Sequence, residues 1–139
     1  MKVGIYNRWL ATMGGGERHT LAIAIHLAKT HNVTVIGHTS VPAAELSARL
    51  HLDLSGVAFR TIPLRPPVEM GPVAAEYDLF INASNQDFVP PQAYRNALLV
   101  YFPAKPPLWL GSRLRRSIGL VFRRAASLPQ PVVGLYQTL

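Results

Sequence analysis

The chain opens with an apolar strand, Lys2-Val3-Gly4-Ile5-Tyr6, that passes through a short loop into Gly14-Gly15-Gly16-Glu17-Arg18 and then an apolar helix. This order constrains the fold more than any other stretch. A strand that hands a glycine-rich turn to a helix start points backbone N–H groups and the positive end of a helix dipole at one place, and that place suits an anion. Phosphate is the first candidate. Residues 17–30 carry Leu21, Ala24, Ile25 and Ala28 at the i, i+3, i+4, i+7 spacing of a helix with one buried face, and Glu17 in its first turn complements the dipole. A second strand at 33–37 follows after only His31 and Asn32, so the opening predicts a right-handed parallel βαβ unit.

The alternation continues. Pro42 is placed for the first turn of a helix that runs to about Leu50, and 57–62 reads as a third strand. Pro63, Pro66, Pro67, Gly71 and Pro72 then predict a loop. Two further apolar strands are expected at 77–82 and 97–102, each ending at polar or proline residues, as strands do at the ligand edge of a parallel sheet. After Pro103, Pro106 and Pro107 the pattern changes to a helix at 112–126. Its Leu114, Ile118, Val121, Phe122 and Ala125 form one stripe, with Arg113, Arg115, Arg116, Arg123 and Arg124 on the remaining face. A last strand is expected at 132–136. The sum is an α/β fold: a Rossmann-like, doubly wound, mostly parallel sheet with helices on both faces, in a single domain spanning 1–139.

Composition narrows the function classes. With no cysteine, disulfides and thiolate metal sites are excluded, which fits a reducing, cytoplasmic setting. Asn7 and Arg8 interrupt the first apolar segment too early for a secretory signal, and no apolar run reaches the ~18 residues of a spanning helix. The net charge of +7 is unevenly placed: acidic and basic residues balance up to Asp87, and no acid follows it. Such asymmetry suggests a polyanionic partner for the last third, either a nucleic acid or an anionic membrane surface. Nucleic acid is disfavoured, because no known binding motif is present and aromatics do not interleave with the basic residues.

The glycine turn is not a P-loop, since no Gly-Lys-Ser/Thr follows, and it is not a dinucleotide fingerprint, since His19 stands at the third glycine position. A tight strand-to-helix turn without a ligand is the plain alternative. His19 and His26 lie seven apart on one helix, but no carboxylate pair joins them at metal spacing, so no metal is expected. Asn82, Ser84, Asn85 and Asp87 follow a strand end, where they are either sugar-hydroxyl contacts or ordinary turn formers. Lys105 follows the next strand end and is either a phosphate contact or a solvated side chain. The basic helix either packs its apolar stripe on the sheet or, with Leu108-Trp109-Leu110, docks on anionic lipid.

Gly4-Ile5-Tyr6, Met13-Gly14-Gly15-Gly16-Glu17-Arg18 and Asn32-Val33-Thr34-Val35-Ile36 together resemble the start of family 4 retaining glycosyltransferases of the GT-B fold, in which a Gly-Gly-x-Glu-Arg or Gly-Gly-x-Glu-Lys turn opens the first helix. Tyr77-Asp78-Leu79-Phe80-Ile81-Asn82 and Val100-Tyr101-Phe102-Pro103 resemble two later strands of that family. The resemblance implies the N-terminal, acceptor-side domain of an enzyme that transfers a sugar from a nucleotide-sugar donor with retention. Gly14, Gly15 and Gly16, with Arg18, would face the donor diphosphate. Asn82, Ser84, Asn85, Tyr101 and Lys105 would meet the acceptor or the sugar. No cofactor is implied beyond the donor as co-substrate, and no catalytic residue is assigned.

Two departures qualify what is carried over. Tyr101 stands where many relatives have a histidine close to the transferred sugar. Family members are also roughly twice as long, so the resemblance implies a missing C-terminal donor-binding domain or a partner subunit, without which the chain is catalytically incomplete. Lipid-linked acceptors, common in the family, favour a peripheral position on the inner membrane face, with Trp109, Arg113, Arg115, Arg116, Arg123 and Arg124 facing lipid. The alternatives are a non-enzymatic Rossmann-like module that binds phosphate, nucleotide or membrane, and the membrane-associated subunit of a split glycosyltransferase.

Overall fold

The apolar runs at residues 3–6, 33–37 and 80–82 are largely buried on both sides, as strands are in a parallel sheet covered on both faces. The computed structural model describes residues 1–85 and 87–101. Within them, β1 (Lys2–Tyr6), β2 (Asn32–Gly37), β3 (Ala58–Thr61), β4 (Leu79–Asn82) and β5 (Arg95–Leu98) form one sheet in the order β3-β2-β1-β4-β5. Every neighbouring pair is parallel. This is an α/β, Rossmann-like fold.

Helix placement follows from handedness. α1 (Gly15–Ala28) and α2 (Ala43–Leu50) carry the chain outward from β1 to β3, and their Leu21, Ala24, Leu46 and Leu50 pack with Val3, Ile5, Val33 and Val35 on one face. The chain then reverses past β1 to reach β4. A right-handed crossover in the reverse direction must cover the opposite face. There, a 3₁₀ turn at Pro67–Met70 and the short α3 (Gly71–Ala74) bring Met70, Val73 and Ala74 against Tyr6, Ile36 and Phe80. The sheet is therefore wound in both directions from β1, the central strand, whose residues after Lys2 are all buried.

Several boundaries differ from the sequence reading, for physical reasons. The stretch expected as loop becomes the 3₁₀ turn and α3, because prolines in a first helical turn forgo only N–H groups that would be unpaired anyway. Pro42 is the residue before α2 and not its first residue. α1 begins at Gly15, two residues earlier than expected, since Glu17 caps the turn from inside the helix. β4 starts at Leu79 because the Tyr77 N–H is held by the Ala74 carbonyl at the end of α3. β5 lies at Arg95–Leu98 and not at 97–102, because its register is set by pairing Leu79 with Arg95 and Asn82 with Leu98. As an edge strand it leaves Leu98 exposed, so apolarity alone misplaces it. The expected helix at 112–126 and strand at 132–136 lie outside the described residues.

Candidate functional site

Parallel strands end together, and here the ladder runs one residue past each strand end. Asn7 N–H donates to the Ile36 carbonyl (2.9 Å), Ala83 N–H to the Tyr6 carbonyl (2.8 Å) and Leu99 N–H to the Asn82 carbonyl (2.8 Å). The loops after β1, β4 and β5 thus leave from one edge. Between β1 and β4 the winding reverses, and two loops diverging from adjacent strands leave a crevice. A cleft of about 500 Å³ lies there, lined by Trp9, Gly15, Gly16, Glu17, His19, Ala83, Asn85 and Tyr101.

The floor of the cleft is the first turn of α1. Glu17, buried, turns back so that one carboxylate oxygen accepts from Gly14 N–H (2.8 Å) and from the Thr12 hydroxyl (2.9 Å). This is the carboxylate half of a capping box, which closes the turn. It also occupies the Gly14 amide, so of the three glycines expected to face an anion, Gly15 and Gly16 line the cleft and Gly14 is spoken for by the protein. No glycine among the described residues has positive φ, and Gly14 is extended at φ −91° and ψ −164°. Conformational freedom therefore does not require glycine here. Among the described residues and outside the backbone of its own helix, a methyl group at Gly15 would meet no atom within 4 Å, and at Gly16 its nearest such neighbour would be a Tyr101 ring carbon at 4.0 Å. What a side chain would fill is the cleft itself.

One wall is Tyr101. Its hydroxyl lies 3.0 Å from Thr20 Oγ1 and donates to the Gly16 carbonyl (3.3 Å), and its ring stands edge-on to His19 with centroids 5.6 Å apart. Thr20 donates to the same carbonyl (2.9 Å) and accepts from Asn7 Nδ2 (3.1 Å). The segment after β5 is thereby fastened to the glycine turn. The opposite wall is the loop after β4. Asn85 has φ 44°, a left-handed conformation that asparagine tolerates, and its buried Oδ1 has no hydrogen-bond partner among the described residues.

The remaining expected contacts are spent elsewhere. Arg18 donates from Nε to the Leu50 carbonyl (3.3 Å) at the end of α2, and does not line the cleft. Asn82 is buried, donating to the Asp87 carbonyl (2.7 Å) and accepting from Ser84 N–H (3.0 Å). Ser84 is buried too, and its Oγ accepts from Arg8 N–H (2.7 Å). Asn82 thus braces the β4 loop internally and Ser84 holds it against the β1 loop, and the Arg8–Asp87 ion pair (3.5 Å) spans the same two loops. Lys105, Trp109, Arg113, Arg115, Arg116, Arg123 and Arg124 lie outside the described residues.

Trp9, Glu17, His19 and Ala83 line the cleft without having been singled out as contacts. For His19 the signal was available: it follows Gly15 by four and Gly16 by three, and so shares their helix face. On the other side of the sheet, the Tyr6 hydroxyl lies 2.9 Å from His38 Nε2, and His38 Nδ1 lies 3.3 Å from the Ile62 carbonyl. A carbonyl only accepts, so Nδ1 carries the proton and Nε2 accepts from Tyr6. Burial first, and then the Asp87 carboxylate, push the Tyr6 hydroxyl above the usual phenol range, which keeps it a donor.

Among the described residues no helix is long and apolar enough to cross a membrane, and no group of three His, Cys, Asp or Glu side chains is placed to hold a metal ion. Comparison with protein-family models and with curated proteins finds no match to this chain.

Proposed function

We propose that the chain is the acceptor-side domain of a retaining glycosyltransferase that uses a nucleotide-sugar donor, with the glycine-floored cleft facing the donor diphosphate. The observation that carries this reading is the open cleft over Gly15 and Gly16, at the sheet edge where the winding reverses. Leading amides of a helix have no partner within the helix and donate to an anion without reorganising. Their value rises as negative charge builds on a departing nucleoside diphosphate, so they lower the barrier to cleaving the sugar–phosphate bond. Asn85, in the loop after β4, lines the same cleft, where a hydroxyl of the sugar or acceptor would lie in this reading.

In this reading a second domain or subunit grips the nucleotide, and residues 112–126 of the chain bring it to an anionic membrane face from the cytoplasmic side. The test is calorimetric titration of the chain with uridine diphosphate, before and after Gly15→Val. Gly15 lines the cleft, and a Cβ there meets no described atom outside its own helix within 4 Å. The expected result is affinity reduced about tenfold or more, as for loss of a hydrogen bond to a charged group, with little loss of stability. Equal affinity in both proteins would exclude the glycine turn as the diphosphate site. Binding that depends on Gly15, without sugar transfer when any partner domain is supplied, would favour the non-enzymatic nucleotide-binding module.

A further inference from the structure

We draw no further inference here: the strongest candidate, the exposed apolar surface at Leu98 of the edge strand β5 and Val100 just beyond it, carries none, because nothing in the structure shows what covers it.

Discussion

Gly4 lies in the middle of β1, in register with Thr34 of β2 on one side and Phe80 of β4 on the other. A methyl group at Gly4 would sit 2.8 Å from two carbons of the Tyr77 ring and 3.0 Å from a third. Ordinary carbon contacts are about 3.5–4.0 Å, so the ring must retreat by roughly 1 Å. It has little room to do so. Tyr77 is buried, Phe80 packs beside it with centroids 6.1 Å apart, and the Lys2 ammonium lies 4.8 Å from the ring centroid. Neither ring nor strand yields easily, so the cost of Gly4→Ala belongs near the upper end of the ~1–3 kcal/mol range for overpacking. Alanine returns about 0.5 kcal/mol by restricting the unfolded chain. The net expectation is about 2 kcal/mol of destabilisation, measured by urea unfolding followed through tryptophan fluorescence. Gly15→Ala serves as the control, because among the described residues no atom outside its own helix lies within 4 Å of its added methyl, and it should be neutral or slightly stabilising. The cost of Gly4→Ala should shrink in a Tyr77→Leu background, as coupled neighbours require. An unchanged urea midpoint for Gly4→Ala, or the same penalty in both backgrounds, would refute the stacking argument.

Two further outcomes follow from the polar network and the surface charges. Tyr6→Phe removes the donor to His38 Nε2 and should cost about 1–2 kcal/mol in the same unfolding assay, with an unchanged midpoint counting against the Nδ1–H tautomer of His38. Arg60 binds Glu76 through two hydrogen bonds of 2.7 and 3.2 Å, which hold the Glu76 carboxyl below its ordinary range. With both side chains well exposed, Glu76→Gln should cost at most about 1 kcal/mol at neutral pH. Because the folded-state pKa is depressed, that contribution is complete above the unfolded value of about 4.3 and is lost as pH falls through the folded one. Urea midpoints of wild type and variant should therefore differ at pH 7 and converge in acid, once the folded carboxyl is protonated; a gap that persists there would assign the effect to something other than this ion pair.

The sheet was legible because buried parallel strands announce themselves as apolar runs between turn signals. Val3, Ile5 and Tyr6 in β1, Val33, Val35 and Ile36 in β2, and Phe80 and Ile81 in β4 are all buried. β5 was legible only in part, since an edge strand with Arg95 and Asn96 exposed lacks that signal and takes its register from β4. α3 was hidden because proline reads as a breaker whether it stops a helix or starts one. At the site, position was easier to read than direction. Strand order placed Gly15, Gly16, Asn85 and Tyr101 at one cleft, whereas the paths of Arg18 to Leu50 and of Asn82 to Asp87 depend on neighbours distant or reversed in the chain. A side chain's partner is a tertiary fact. Glu17 shows the point most clearly: a first-turn acid complements the dipole in any helix, but only the fold shows that it takes the Gly14 amide and leaves the next two glycines to line the cleft.

The most direct measurement is a ¹⁵N-resolved titration of the whole chain with uridine diphosphate, read at the backbone amides. The expected result is a saturable shift concentrated at Gly15 and Gly16, with Asn85 and Tyr101 moving at the same ligand concentration and Gly14 moving least, because its N–H stays on Glu17. Shifts that saturate elsewhere on the sheet, or none at Gly15 and Gly16 while the ligand binds, would contradict the placement of the anion at the start of α1.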